Sequence, residues 1–506
     1  MDAIPQFEHT PLEGIPELAR DARRTFLSHK TRPIEYRLVQ LRKLYWGLKD
    51  NEGILAEALK KDIGKPPYET QLMEVGMCEN DILYACKNLD KWTKDQKPED
   101  VPLIHMSFRP RIRKDPLGCV LIIGTYNFPI QLCIMPLIGA IAAGCTAVLK
   151  PSESAPHTAA CMEHIIKTYL DQDAYKIVQG AVAEASSLLD QKWDKIFYTG
   201  GDKVGRIVAK RAAETLTPYV LELGGINPAI VTRHADPHLA ARRLLWAKLV
   251  NAGQVCVSQN YVLVDREILP LFVAELERAL KEFHPDGVRK SKDYGRIIDA
   301  RQFQRLKHML DETRGRILLG GTMDEEDLFF EPTVVQVEDV KDSLIVEESF
   351  GPLIPLLPID GLDEAIRLAN EIHDTPLGVY AFGSKAETTR ILNETRSGGI
   401  SINDAFAHVS VPTLPFGGVG ASGQGAYHGR ESFEAFTHRR AVASTPSWVE
   451  KLIAVRYPPY AGKLKQVELL SGKPNFDRDG RVRLGVLGWV KHVLLSRNLL
   501  FTVLGE

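Results

Sequence analysis

CVLIIG at 119–124 opens a series in which strand-like runs recur as TAVLK (146–150), YKIVQ (175–179), KIFYT (195–199) and YVLEL (219–223). Helix-like segments fall between them, near 130–143, 154–170, 182–190 and 203–216. Such alternation predicts an α/β fold with a doubly wound, mainly parallel sheet, whose ligands sit at the carboxyl ends of its strands. The G-x-G-x-x-G of a standard dinucleotide fold is missing after the first strand, where Gly124-Thr125-Tyr126-Asn127-Phe128-Pro129 stands instead. A later turn, Thr199-Gly200-Gly201-Asp202-Lys203-Val204-Gly205, still allows a phosphate to approach a helix N-terminus.

Working outward, YVLELGGINPAIV at 219–231 ends a strand on Glu222 and continues with paired glycines, leaving a carboxylate at an open strand end. NAGQVCVSQNYVLV at 251–264 presents Cys256 between a glycine-bearing turn and an apolar strand. A thiolate can attack a carbonyl carbon, and a nearby carboxylate can activate water against the resulting thioester. Taken alone, a single cysteine in a large chain is more often a small buried hydrophobe. Only a fold that brings the two together gives them a chemical role.

A second α/β region is expected from Asn227 to about Phe436, with helices around 240–250, 269–282 and 363–372 and strands at 261–264 and 401–403. HMSFRPRIRK at 105–114 interleaves apolar and basic residues and reads as an exposed hairpin strand. The 506 residues suffice for about three domains. A net charge of −2 gives no basic bias of the kind nucleic-acid binding requires. Seven cysteines without C-x-x-C spacing fit neither a disulfide framework nor a cysteine zinc site, so no metal is expected. The first residues lack the pattern of a signal peptide, which points to synthesis in the cytosol. Near the end, 482–505 (VRLGVLGWVKHVLLSRNLLFTVLG) is rich in Leu and Val but interrupted by Lys491, His492 and Arg497. It reads as an interfacial helix giving peripheral membrane contact, the alternative being a helix packed on the protein or on a partner.

Seven stretches together resemble the aldehyde dehydrogenase superfamily, specifically its class 3 or fatty aldehyde branch: YNFP at 126, KPSE at 150, FYTGG at 197, LELGG at 221, GQVC at 253, EESFGP at 347 and LPFGGVGASGQGAYHGRESFEAFTHRR at 414. The resemblance implies an NAD-binding Rossmann-like domain (1–104 and 118–223), a catalytic domain (224–436), bridging segments (105–117 and 437–455) and a C-terminal extension (456–506). It also implies Cys256 as nucleophile, Glu222 as general base and Asn127 as side-chain donor to the oxyanion. For the cofactor it places Lys150 and Glu153 at the adenosine ribose, Gly200, Gly201, Val204 and Gly205 near the pyrophosphate, and Glu348 with Phe350 at the nicotinamide. A carboxylate at Glu153 would repel a 2′-phosphate, which favours NAD, while Lys150 beside it leaves NADP open. Lys150 and Glu153 also suit a plain helix start.

The branch implies a homodimer acting on a small apolar aldehyde, either a long-chain fatty aldehyde or an apocarotenal of the kind oxidised by the similar fungal β-apo-4′-carotenal oxygenases. Location at the cytoplasmic side of a lipid surface such as the endoplasmic reticulum follows the same reasoning. Many relatives have Lys where this chain has Ile226, which bears on fine tuning near the catalytic strand. Two rival readings stand beside this one: a CoA-acylating enzyme, against which Glu222 argues, and a catalytically silent scaffold, which would not need Cys256, Glu222 and Asn127 together.

Overall fold

The computed structural model describes residues 3–465, 467, 474–482 and 485. The larger of its two compact units comprises 3–94 and 114–440; the smaller comprises 95–113 and the described residues from 441 onward.

Within the larger unit the predicted alternation produces a six-stranded sheet in the order Gly423–Gln424, Tyr219–Glu222, Lys195–Thr199, Cys119–Ile123, Thr146–Lys150, Tyr175–Ile177. The inner pairings are parallel, and only the short Gly423–Gln424 edge runs antiparallel. Every residue of the three strands 119–123, 146–150 and 195–199 is buried, as expected where helices cover both faces of a parallel sheet. The helix Gln131–Ala143 is buried all round and carries Pro136. Its uniform apolarity lets it serve as a central packing element.

A second sheet of seven strands runs Gly399–Ile402, Gly378–Phe382, Pro228–Val231, Tyr261–Asp265, Leu353–Ile359, Thr333–Gln336, Arg316–Leu319. It is parallel except at the Arg316–Leu319 edge. The chain passes from the first sheet to the second in the few residues between Glu222 and Pro228. That short crossing carries Glu222 to the border of the turn that holds Cys256.

The stretch 105–114 divides between a 3-10 segment, Leu103–Phe108, and a strand, Arg111–Pro116, which pairs with Thr437–Val442 and not with a neighbouring hairpin arm. In the smaller unit Gln96 bridges Ile112, and the Ser444 N–H donates to the Phe108 carbonyl at 2.7 Å. Almost all of 482–505 lies outside the described residues. Among the described residues no helix is long and apolar enough to cross a membrane.

Candidate active site

The first sheet delivers its functional groups by register. Thr199 is paired with Glu222, and the Gly200 N–H donates to the Glu222 carbonyl at 3.0 Å, so the glycine turn and the carboxylate share one strand-end edge. Glu222 is 3% exposed, and neither carboxylate oxygen has a hydrogen-bond partner. Burial alone raises its pKa well above the ordinary carboxylate range, so it holds a proton more readily than a free carboxylate does.

The turn before Cys256 is shaped by three consecutive left-handed residues, Asn251 (φ 52°), Ala252 (φ 51°) and Gly253 (φ 78°). A Cβ at Gly253 would meet the Gly351 carbonyl oxygen at 2.3 Å, so glycine is required by space as well as by conformation. Downstream, Asn227 Nδ2 donates to the Cys256 carbonyl at 2.8 Å and to the Ser258 carbonyl at 2.9 Å, while its Oδ1 accepts from the Gly378 N–H at 2.9 Å. The Tyr380 hydroxyl donates to the Val257 carbonyl. Asn260 Oδ1 accepts from the Ser349 N–H at 2.7 Å, fixing the 347–352 loop to the same turn. Cys256 is half-buried, and its thiol is pushed up to about 12, chiefly by burial and then by the negative charge of Glu348 and Glu222.

Asn127 is buried, with Nδ2 donating to the Gln254 carbonyl at 3.1 Å. A carboxamide nitrogen carries two hydrogens, so one donor stays available. Cys256, Glu222 and Asn127, far apart in sequence, all line one cavity of about 580 Å³. Gly200, Gly201, Glu348 and Phe350 line it too. Lys150, Glu153, Val204 and Gly205 do not reach its wall. Lys150 is buried, with Nζ donating to the Pro151 carbonyl at 2.6 Å and to Glu153 at 3.2 Å; Val204 is exposed, and Gly205 is buried against Leu223.

Two features of this cavity fit an anionic dinucleotide. The helix Asp202–Glu214 begins at Gly201 with no side-chain cap, and a Cβ on Gly201 would meet nothing within 4 Å, so its first N–H groups are approachable. Glu348 Oε1 is buried without a partner, and the pKa of its carboxyl is raised to about 7 by burial, an effect that the Gly225 N–H, Arg305 and Lys248 only partly oppose. A Cβ at Gly224 would stand 2.3 Å from Glu348 Oε2, so a side chain here would displace the Glu348 carboxyl. Phe350, itself at φ 49°, meets Tyr126 edge-on at 6.0 Å.

Cys256 also lines a second cavity of about 470 Å³, walled mainly by apolar side chains including Leu72, Met73, Met77, Phe128, Trp246, Phe406, Val409 and Phe416. None of these was singled out from sequence as a site residue, because they come from segments up to 344 positions apart that look like ordinary core. Arg301 and Arg305 in the first cavity were missed as well. Their one available signal is an i, i+4 spacing on the amphipathic helix Ala300–Glu312, which also describes a solvated face.

A family model described as the aldehyde dehydrogenase family matches residues 2–442. The beta-apo-4'-carotenal oxygenase of Neurospora crassa is 51% identical over 493 residues, which cover 97% of this chain and 92% of that protein. The "aldehyde dehydrogenase, dimeric NADP-preferring" of Canis lupus familiaris is 40% identical over 454 residues, 90% of this chain and 99% of the relative. Among solved structures, the substrate-bound state of Staphylococcus aureus AldH aligns with a TM-score of 0.87 at 37% identity, covering 91% of this chain and 99% of that one.

Proposed function

The chain belongs to the aldehyde dehydrogenase family and is an NAD(P)-dependent aldehyde dehydrogenase; we propose that it oxidises a long, apolar aldehyde to its carboxylic acid at Cys256. The observation that carries this reading is the position of Cys256 on the shared wall of a polar cavity and an apolar one. A thiol there meets an aldehyde from one side and a hydride acceptor from the other.

The Cys256 sulfur adds to the aldehyde carbon as its proton passes to a base, and the carbonyl π electrons move to oxygen. The free N–H of the Asn127 amide and the Cys256 backbone N–H are the donors for that oxyanion, which strengthens as charge develops. Bound NAD(P) supplies the acceptor for the hydride that leaves the tetrahedral carbon. With the C=O restored, Cys256 holds the acyl group as a thioester. Glu222 takes a proton from water as its oxygen attacks the acyl carbon, the C–S bond breaks, and the acid departs. In this reading the turn of Gly200, Gly201, Val204 and Gly205 holds the pyrophosphate through Gly200 and Gly201 on the cavity wall, Glu348 with Phe350 hold the nicotinamide end, and Lys150 with Glu153 hold the adenosine ribose outside that cavity.

The length of the substrate is supported by the apolar wall and by the 51% identical relative, named for an apocarotenal. NAD is favoured as the working cofactor because of Glu153, with NADP use supported by the name of the canine relative. The same relative is called dimeric, and a homodimer is proposed here through the bridging segments 105–117 and 437–455. The remaining division is proposed as 1–104 with 118–223 for the cofactor and 224–436 for catalysis, with 456–506 as an extension whose 482–505 stretch contacts a lipid surface on the cytoplasmic side.

The test is NADH formation, with NADP in parallel, against short alkanals, hexadecanal and an apocarotenal in detergent. A kcat/KM that climbs with chain length supports the reading, whereas activity confined to short or aromatic aldehydes overturns the substrate class. Sedimentation at micromolar concentration giving a monomer would remove the dimer.

A further inference from the structure

Behind the Asn127 loop lies a charged pair that the reaction itself does not use. Lys65 and Glu74 are both wholly buried and in direct contact. Lys65 Nζ also donates to the Asn127 carbonyl at 2.9 Å and stands 4.1 Å from the centre of the Phe128 ring. Glu74 Oε2 accepts from the backbone N–H of Ile130 at 2.9 Å and of Gln131 at 3.3 Å. The pair therefore grips the 127–131 loop at both ends, from the residue that points its amide at the oxyanion to the first residue of the helix Gln131–Ala143.

The local backbone is built to deliver Glu74. Residues Gln71–Val75 form a π-helical turn closed by the Gly76 N–H on the Gln71 carbonyl, and a Cβ at Gly76 would lie 2.4 Å from that oxygen. Such turns insert one extra residue into a helix and re-aim the side chains that follow. The same segment reaches the other wall of the site: Glu69 accepts from the Asn251 N–H at 2.9 Å, and Asn251 Nδ2 donates to the Asn127 carbonyl at 2.9 Å. Two donors thus converge on a single carbonyl, that of Asn127. A fully buried ion pair is a poor device for stability, because desolvation offsets most of the attraction. Its geometry here makes sense as a means of holding one peptide unit in place.

We propose that Lys65 and Glu74 are positioning residues for the oxyanion donor, setting the Asn127 amide through its own backbone carbonyl and the following N–H groups. The inference rests on the reading of Asn127 given above. It assigns a role to residues that touch neither aldehyde nor cofactor. Misplacing a catalytic group by about 1 Å can lower a rate on the order of 100-fold, and the oxyanion donor itself is worth on the order of 100- to 1,000-fold.

The experiment is a double-mutant cycle on the full-length enzyme. Lys65→Met/Glu74→Gln removes both charges together, leaving neither unpaired, and is combined with Asn127→Ala. Steady-state NADH formation from one short soluble aldehyde is the readout. The expected result is a fall in kcat of roughly 10- to 100-fold in the native background, little change in KM for cofactor or aldehyde, and at most about a threefold further loss when Asn127 is already Ala. Lys65→Arg, which keeps the cation but moves it, should give an intermediate loss and serves in the same cycle if the double variant does not fold. Equal losses in the two Asn127 backgrounds, or a loss carried by KM, would overturn the positioning role. An Asn127→Ala enzyme with native activity would instead overturn the oxyanion reading itself, and the two failures are told apart by that single variant.

Discussion

The two cavities that meet at Cys256 have opposite walls. One carries Glu222, Glu348, Asp202, Lys203, Arg301 and Arg305; the other is lined mostly by Leu, Met, Val and aromatic side chains. The division runs through single loops: Asn127 faces the polar cavity and Phe128 the apolar one, and Val255 and Val257 flank a cysteine that belongs to both. Adjacent residues can be sent to opposite sides because the backbone there is irregular and pinned by hydrogen bonds from Asn227, Tyr380 and Lys65. The difference teaches that two chemically unlike cavities can be set side by side at a single residue. What separates them is a thin wall that includes Cys256.

The comparison breaks most completely at the shared residue. Cys256→Ala should abolish NADH formation with every aldehyde, a loss on the order of 10⁵-fold or more as for other covalent nucleophiles, measured at saturating cofactor. Next comes Glu222→Gln, which should spare acyl transfer to Cys256 but slow water attack by roughly 100- to 10,000-fold. Rapid-quench detection of a stoichiometric NADH burst followed by a slow phase would establish it, and an unchanged steady rate would remove Glu222 as the base.

The two sides should then separate. Glu348→Gln should raise KM for the cofactor about tenfold with the aldehyde KM unchanged, while Phe406→Ala should do the reverse and more strongly for hexadecanal than for a short alkanal, the loss of a buried aromatic contact being worth about 1–3 kcal/mol. Parallel initial-rate matrices for the two variants check this; coupled changes in both would mean that the wall is not a divider. The smallest effect concerns pH. Burial raises the pKa of the Glu348 carboxyl from 4.5 to about 7 in the folded protein. Between those values the native state keeps a proton that the unfolded state has lost, so this group's contribution to stability falls as pH rises through that window. Replacing it by Gln should flatten the melting temperature between pH 5 and 7.5 by about 2 °C relative to the native chain, as calorimetry can show.

Activity should follow pH in the opposite direction. With the thiol pushed up to about 12 it is neutral at pH 7, and burial shifts the Glu222 carboxyl in the same direction, so kcat/KM should climb with pH through the alkaline range.

Much of this was legible in the chain. Runs such as CVLIIG and KIFYT could only be strands buried on both faces, and their alternation with helices dictated a parallel sheet with its ligands at the strand ends. Glu222 and Cys256 were legible as site candidates only through the motifs LELGG and GQVC and the family they resemble, since taken alone a single cysteine reads as a small buried hydrophobe. Local chemistry cannot say what faces what across a gap of many residues. The tertiary structure alone decided that Cys256 divides two cavities, that Lys150 and Glu153 stay off the wall of the polar one, and that Lys65 and Glu74 hold the Asn127 loop from behind. The physical reason is that hydrophobic periodicity and turn chemistry act over a few residues, whereas burial, charge pairing and cavity shape depend on which distant segments the finished packing brings into contact.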